Sequence, residues 1–279
     1  MGRDGFVIYT DLDGCLLDQE TYSAEAARPA LDLLRKERIP LVLCSSKTQA
    51  EVEYHRDLLG LTDPFVVENG GAILIPTGCF PFPHAFTRTT GPYRRVEFGI
   101  AYARLTETLG ELARATGLRL RGFSEMSVKE VISLTGLDPD AARRAKARQY
   151  DEPFVADLSP AEVERLEREV QRRGLALVEG GRFYHLTGRN SKGLAVGFLT
   201  RLYRIAFPRL VTVGIGDAEN DVPMLQRVDI PVVIPRESTL VDPAFEGRGW
   251  AVAPAAGPTG WTQAVLAILS GKWEGAARR

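Results

Sequence analysis

Residues 6–10 (Phe-Val-Ile-Tyr-Thr) form an unbroken run of β-branched and aromatic side chains that ends abruptly in Asp11-Leu12-Asp13-Gly14. A run without polar alternation reads as a strand buried on both faces, the kind that occupies the middle of a parallel α/β sheet. Ligands of such sheets gather beyond the carboxyl ends of the strands, so Asp11 and Asp13 stand where chemistry is expected. Side chains two apart leave a strand on the same face. Two like charges held together cost free energy unless a cation or a proton stands between them. Taken alone, a D-x-D-G stretch is better explained as a strand entering a capped turn. A calcium loop is excluded, because that pattern needs glycine at its sixth position and Gly14 is the fourth.

The same grammar recurs along the chain. Ser23 reads as the N-cap of a first helix, although Pro29 argues for a later start. Residues 39–44 form a second buried strand ending in Ser45, Ser46, Lys47 and Thr48, where a second helix begins. Residues 65–67 form a third, ending in Glu68, Asn69, Gly70 and Gly71. This β-α-β-α-β opening predicts a doubly wound, Rossmann-like parallel-sheet core of the α/β class. Proline, threonine and glycine then crowd residues 76–92, as in a connection.

A helix over 96–116, a strand over 118–123, short helices over 127–134 and 140–148 and a strand near 154–156 follow. Ser159-Pro160-Ala161-Glu162 opens a helix to residue 173. A hairpin turns across Gly180-Gly181. These describe an inserted α+β domain on an antiparallel sheet. The doubly wound pattern resumes with a helix from Asn190-Ser191-Lys192, a strand over 210–215 ending in Gly216-Asp217-Ala218-Glu219-Asn220-Asp221, a helix over 222–226, a strand over 230–234 and a helix over 262–269. A frayed tail is expected over 271–279. The predicted division is a core of 1–84 with 189–279, and an insertion of 85–188.

Composition narrows the function classes. The 279 residues carry a net charge of −1, which gives no general attraction to nucleic acid or to a membrane surface. No apolar stretch spans a bilayer and no signal peptide opens the chain, so a cytoplasmic location is expected. Cys15, Cys44 and Cys79 fit reduced thiols. With only His55, His84 and His185, widely spaced, a histidine-built dinuclear metal site is not expected.

Four strand ends carry polar groups: Asp11 and Asp13, Ser45 and Ser46, Glu68 and Asn69, and Asp217 with Asn220 and Asp221. Lys192 is a fifth element, at a helix start where the helix field disfavours a cation and favours an anion. Gathering up to four carboxylates costs roughly 4 kcal/mol per like pair at about 4 Å and an effective dielectric near 20. That demands a divalent cation, and oxygen ligands favour Mg²⁺ over zinc.

Asp11-Leu12-Asp13-Gly14, Ser45, Lys192 and Gly216-Asp217-Ala218-Glu219-Asn220-Asp221 resemble, in order and spacing, the four motifs of the haloacid dehalogenase superfamily of phosphatases. Serine at position 45 departs from the commoner threonine but keeps the hydroxyl. The insertion resembles the large α/β cap domain of one subgroup.

The resemblance implies Asp11 as nucleophile and Asp13 as general acid and base. It implies Mg²⁺ held by the Asp11 carboxylate, the Asp13 backbone carbonyl and Asp217, with Asn220 and Asp221 orienting metal-bound water or Lys192. Ser45, Ser46 and Lys192 would hold the phosphoryl oxygens.

Residues 43–48, 65–72 and 147–154 (Ala-Arg-Gln-Tyr-Asp-Glu-Pro-Phe) resemble, more narrowly, the branch that dephosphorylates mannosyl-3-phosphoglycerate. The implied partner is a small phosphorylated sugar-glycerate. Glu68, Asn69, Met126, Ser127, Arg148, Gln149, His185 and Thr187 are then the expected substrate contacts, with Arg148 offering its planar fork to the glycerate carboxylate.

Three rivals differ in class. A cysteine phosphatase fails, since no arginine follows Cys44 at the C-x₅-R spacing. A sugar-phosphate mutase shares the aspartate pair. A non-catalytic binding module would not need the complete charged set.

Overall fold

The structure, a computed structural model, describes residues 5–180, 183–236 and 240–273. Strand β1 (Gly5–Thr10) is buried over its last four residues, as an unbroken apolar run requires. The other strands of the large sheet are β2 (Leu41–Cys44), β3 (Phe65–Val67), β4 (Ala72–Pro76), β5 (Arg88–Thr90) and β6 (Tyr93–Glu97). The insertion supplies β7 (Arg121–Gly122), β8 (Asp151–Val155), β9 (Ala176–Gly180) and β10 (Phe183–Thr187). The large sheet is completed by β11 (Leu210–Gly216), β12 (Ile230–Val233) and β13 (Ala251–Val252).

Among the described residues the large sheet has the order β13-β12-β11-β1-β2-β3-β4-β6-β5. Pairings from β13 to β3 are parallel. Those from β3 to β5 are antiparallel. The small sheet, β7-β8-β10-β9, is antiparallel throughout. The α/β architecture with a mainly parallel central sheet is therefore as predicted.

The helices are α1 (Arg28–Glu37), α2 (Gln49–Leu59), α3 (Tyr102–Thr116), α4 (Val128–Thr135), α5 (Pro139–Ala145), α6 (Pro160–Arg172), α7 (Lys192–Ala206), α8 (Val222–Leu225) and α9 (Gly257–Leu269). Pro29 lies in the first turn of α1, where its missing N–H costs nothing. Ser23 instead accepts the Glu25 N–H at 3.2 Å. Thr48 and Glu51 form a capping box that starts α2 straight after β2.

Ile8 and Leu43 pack with Phe65 and Trp261 on one face of the large sheet. Val7, Tyr9 and Val42 pack with Leu199 and Tyr203 on the other. The small sheet covers its own cluster of Leu105, Leu109, Phe154 and Leu166. Two faces on one strand is what consecutive apolar residues provide.

The structure redraws some boundaries. The helix expected from residue 96 starts at Tyr102, and residues 93–97 are a strand. Val96 is buried in the cluster under the large sheet, and β6 satisfies the open edge of β4. The large sheet thus continues past the boundary expected at 84/85. The strand expected over 118–123 shrinks to Arg121–Gly122. The predicted hairpin pairs β9 with β10, while Gly181 and residues 274–279 of the expected tail lie outside the described residues. Among the described residues no helix is long and apolar enough to cross a membrane.

Candidate active site

Three parallel strands, β1, β2 and β11, deliver Asp11, Ser45 and Asp217 to one edge of the large sheet. Gly216 makes the β11 loop possible: a Cβ there would lie 2.4 Å from the Asp221 Cβ. At the next strand end Gly70 has φ +85°, and a Cβ would lie 2.1 Å from the Ser191 carbonyl oxygen. That close approach sets the start of α7 beside the turn after β3.

Lys192, 0% exposed, donates to Asp11 Oδ1 at 2.7 Å and Asp221 Oδ1 at 2.6 Å. Burial opposes its charge, yet Asp11 and Asp221 outweigh burial and raise its pKa above the usual lysine range. Asp221 Oδ2 accepts the backbone N–H groups of Asp217 at 3.0 Å and Ala218 at 3.2 Å. Burial pushes Asp221 up to about 6 against the pull of Lys192. Asp217 is pushed well above the carboxylate range by burial and then by Asp11 and Asp221. One lysine thus stands among three buried carboxylates.

Asp13 lies beside this group. Its Oδ2 is 2.9 Å from Lys47 Nζ, while its Oδ1 is buried without a hydrogen-bond partner. Burial raises its pKa, with Lys47 opposing and Asp11 adding to the rise. Lys47 is also 3.8 Å from Glu51 and 5.0 Å from the centre of the Tyr22 ring. The Ser45 hydroxyl accepts the Lys47 N–H at 3.1 Å. Lys47 was not anticipated as a site residue. Its place two positions after Ser45, at a strand end facing two acids, was the available signal.

Asp11, Cys15 and Asp217 bring potential ligand atoms within 4.8 Å of one another. The donor chemistry fits a hard divalent cation. Asp217 is raised by burial and then by its neighbours Asp11 and Asp221, so a cation there relieves the repulsion. Burial pushes the Cys15 thiol well above its usual range, and it donates weakly to Asp217 Oδ1 at 3.7 Å. The carboxylates, not the sulfur, are the apt donors.

The expected substrate contacts divide. Asn69 accepts from Asn220 Nδ2 at 3.0 Å, which joins two strand ends. The Glu68 carboxylate is already taken by the N–H groups of Gln149 and Tyr150. Burial pushes Glu68 up to about 7, with Arg148 opposing. Arg148, its side chain 9% exposed, donates to Asp151 at 2.9 Å, the Ser46 carbonyl at 3.0 Å and the Ala145 carbonyl at 3.0 Å.

His185 approaches Asp151 at 2.9 Å from the other side. Gln149 accepts from Arg95. Met126 is packed among Phe123, Val131 and Ala142. Ser127 caps α4. Thr187 is buried and donates to the Gly188 carbonyl at 2.6 Å. Met126, Ser127, Arg148 and Thr187 all have partners within the protein. Packing, capping, ion pairing and a local hydrogen bond occupy them, because each sits inside an element of the insertion or at its junction with the core.

A parallel sheet whose strand ends bear paired aspartates, a buried lysine and a hydroxyl defines a haloacid dehalogenase-like hydrolase, and the model of that family matches residues 8–79. The glucosyl-3-phosphoglycerate/mannosyl-3-phosphoglycerate phosphatase of Methanococcoides burtonii is 40% identical over 263 residues, covering 94% of this chain and 97% of its own. The mannosyl-3-phosphoglycerate phosphatase of Pyrococcus furiosus is 36% identical over 228 residues, covering 82% of this chain and 90% of its own. The chain belongs to the family of these glycosyl-3-phosphoglycerate phosphatases within the haloacid dehalogenase-like hydrolases. Its fold matches that of the subclass IIB sugar phosphatase BT4131 with a TM-score of 0.63 at 13% identity, covering 95% of this chain and 98% of that one.

Proposed function

We propose that this chain hydrolyses the phosphate ester of mannosyl-3-phosphoglycerate, and of its glucosyl counterpart, to the glycosylglycerate and inorganic phosphate. The observation that carries the reading is the Asp11–Lys192–Asp221 chain beside the Asp13–Lys47 pair, in a chain whose relatives bear that activity in their names. An Asp11 carboxylate oxygen attacks phosphorus as the bond to the glycerate oxygen breaks, and Asp13 gives its proton to the departing alkoxide. Water then attacks phosphorus, Asp13 takes a proton from it, and the bond to Asp11 breaks.

Lys192 aims Asp11 and offsets phosphoryl charge, while Ser45 and Ser46 hold phosphoryl oxygens. Asp11, the Asp13 backbone carbonyl and Asp217 would hold Mg²⁺, which would supply the positive charge that lets a dianionic ester approach the aspartates. Asn220 and Asp221 orient that set. The insertion is assigned as the cap that selects substrate and excludes water. A cytoplasmic location is part of this reading.

Phosphate release is measured with Mg²⁺ from mannosyl- and glucosyl-3-phosphoglycerate, 3-phosphoglycerate and hexose phosphates. Preferential release from the two glycosylated esters is expected. Equal efficiency on hexose phosphates, or transfer to a second sugar instead of water, overturns the assignment.

A further inference from the structure

The run over residues 147–154 leads from the end of α5 into β8, and within it Tyr150 packs into a cluster of the core. The Tyr150 ring is held between two glycines: a Cβ on Gly71 would lie 2.5 Å from the Tyr150 Cβ, and a Cβ on Gly99 would lie 2.7 Å from it. The hydroxyl accepts from Arg95 at 2.9 Å and donates to Glu97. Arg95, buried, also donates to Gln49 at the start of α2 and to Gln149. Glu68 closes the seat from the core side. The Gln149 N–H reaches both carboxylate oxygens at 3.0 Å, and the Tyr150 N–H reaches Oε2 at 2.7 Å.

Glu68 is joined equally closely to the catalytic edge. Its N–H donates to the Lys47 carbonyl and the Asn69 N–H to the Ser45 carbonyl, both at 3.0 Å. Asn190, two residues before Lys192, donates to the carbonyls of Glu68 and Asn69 at 3.3 Å. Glu68 and Asn69 have φ of +46° and +55°, backbone that non-glycine residues hold only when the surroundings enforce it. A strained turn therefore bonds on one side to the end of β2, which bears Ser45, and to the loop before α7, which begins at Lys192, and on the other side to the segment that leads into β8 of the insertion.

We infer that Glu68 is a positioning residue: its carboxylate grips the backbone of Gln149 and Tyr150 and so fixes where the inserted sheet stands over the catalytic aspartates. The grip is needed by a substrate large enough to touch both core and insertion, and not by a small ester that occupies the phosphate site alone. The activity arm of the test rests on the phosphatase reading above; the exchange arm does not.

Glu68→Gln keeps the shape but replaces one acceptor oxygen with a donor that faces an N–H. Tyr150→Phe keeps the ring between Gly71 and Gly99 and removes the hydroxyl, which guards against a variant that fails to fold. Amide hydrogen exchange over residues 147–151, and kcat and KM for mannosyl-3-phosphoglycerate and p-nitrophenyl phosphate, are measured at mildly alkaline pH.

Exchange over this segment is expected to rise about tenfold in Glu68→Gln, the scale of one lost charge-assisted hydrogen bond. KM for the large substrate is expected to rise by about the same factor, with a smaller change for p-nitrophenyl phosphate. Tyr150→Phe should move in the same direction by less. Unchanged exchange overturns the proposal. So does faster exchange with an equal fall for both esters, or with no change for either. A parent enzyme that cleaves neither ester refutes the phosphatase reading, and the exchange arm then decides the grip alone.

Discussion

Two regions of this molecule bury ionisable groups, and they do so in opposite ways. At the catalytic edge Asp11, Asp217 and Asp221 surround a single buried lysine, and Arg236 approaches only from a half-exposed position 3.8 Å from Asp217. Negative charge is in excess there, and the pKa values of Asp217 and Asp221 are raised. At the junction between insertion and core, Asp151 has two partners, Arg148 and His185. Burial would raise Asp151, but His185 and Arg148 hold it below the usual range. Both regions are desolvated, so burial by itself does not mark a functional site. A cation and an anionic substrate would relieve the repulsion of an uncompensated cluster, whereas a compensated one is already neutralised by its own partners.

The comparison breaks first at Asp11. Asp11→Asn should lower phosphate release by about 10⁴-fold or more, the scale of losing a nucleophile, with an unchanged circular dichroism spectrum. Substantial residual turnover by a natively folded variant would remove Asp11 from that role. Asp13→Ala should cost about 10²–10⁴-fold, as general acid–base groups do. A loss below about tenfold with ordinary metal dependence would count against it.

The junction should respond in stability. Asp151→Asn leaves Arg148 buried without its carboxylate, which costs about 3–5 kcal/mol, read from urea denaturation. The same substitution should leave divalent metal affinity unaltered. Asp217→Ala should weaken metal binding in calorimetry while changing stability little, and should weaken it more than Lys192→Ala does. If Asp151→Asn weakened metal binding as much as Asp217→Ala, the two regions would not be separable.

The smallest effect is in the pH dependence of the metal-free protein. Asp221 ionises from 3.8 when unconstrained but from about 6 in the fold. Its contribution to stability is present below pH 3.8 and is lost as pH rises through about 6. Asp151 runs the other way: its depressed pKa adds stability above its ordinary value of 3.8, which is lost as pH falls through the lower folded value. Added divalent metal should flatten the Asp221 component of a melting-temperature profile and leave the Asp151 component alone. A profile in which metal shifts both equally would contradict the assignment of charge excess to the catalytic edge alone.

The sequence by itself determined the doubly wound core, the strand ends that carry Asp11, Ser45 and Asp217, and the family to which the chain belongs. Those features are local: an apolar run sets a buried strand, and the residues just after it must lie at the sheet edge. Asp11 and Lys192, 181 positions apart in the chain, were also expected at that edge, and the structure adds the direct contact between them. Only the tertiary structure decided how far the large sheet extends, because β6 was recruited by the open edge of β4 across the intervening loop. It alone revealed Lys47 against Asp13. It also showed Arg148 in an ion pair with Asp151. An arginine near a helix end reads alike whether it meets solvent, substrate or a buried acid. Its partner is set by which surfaces the insertion and the core press together, and here Gly71 and Gly99 leave the space for Tyr150 that brings them into contact.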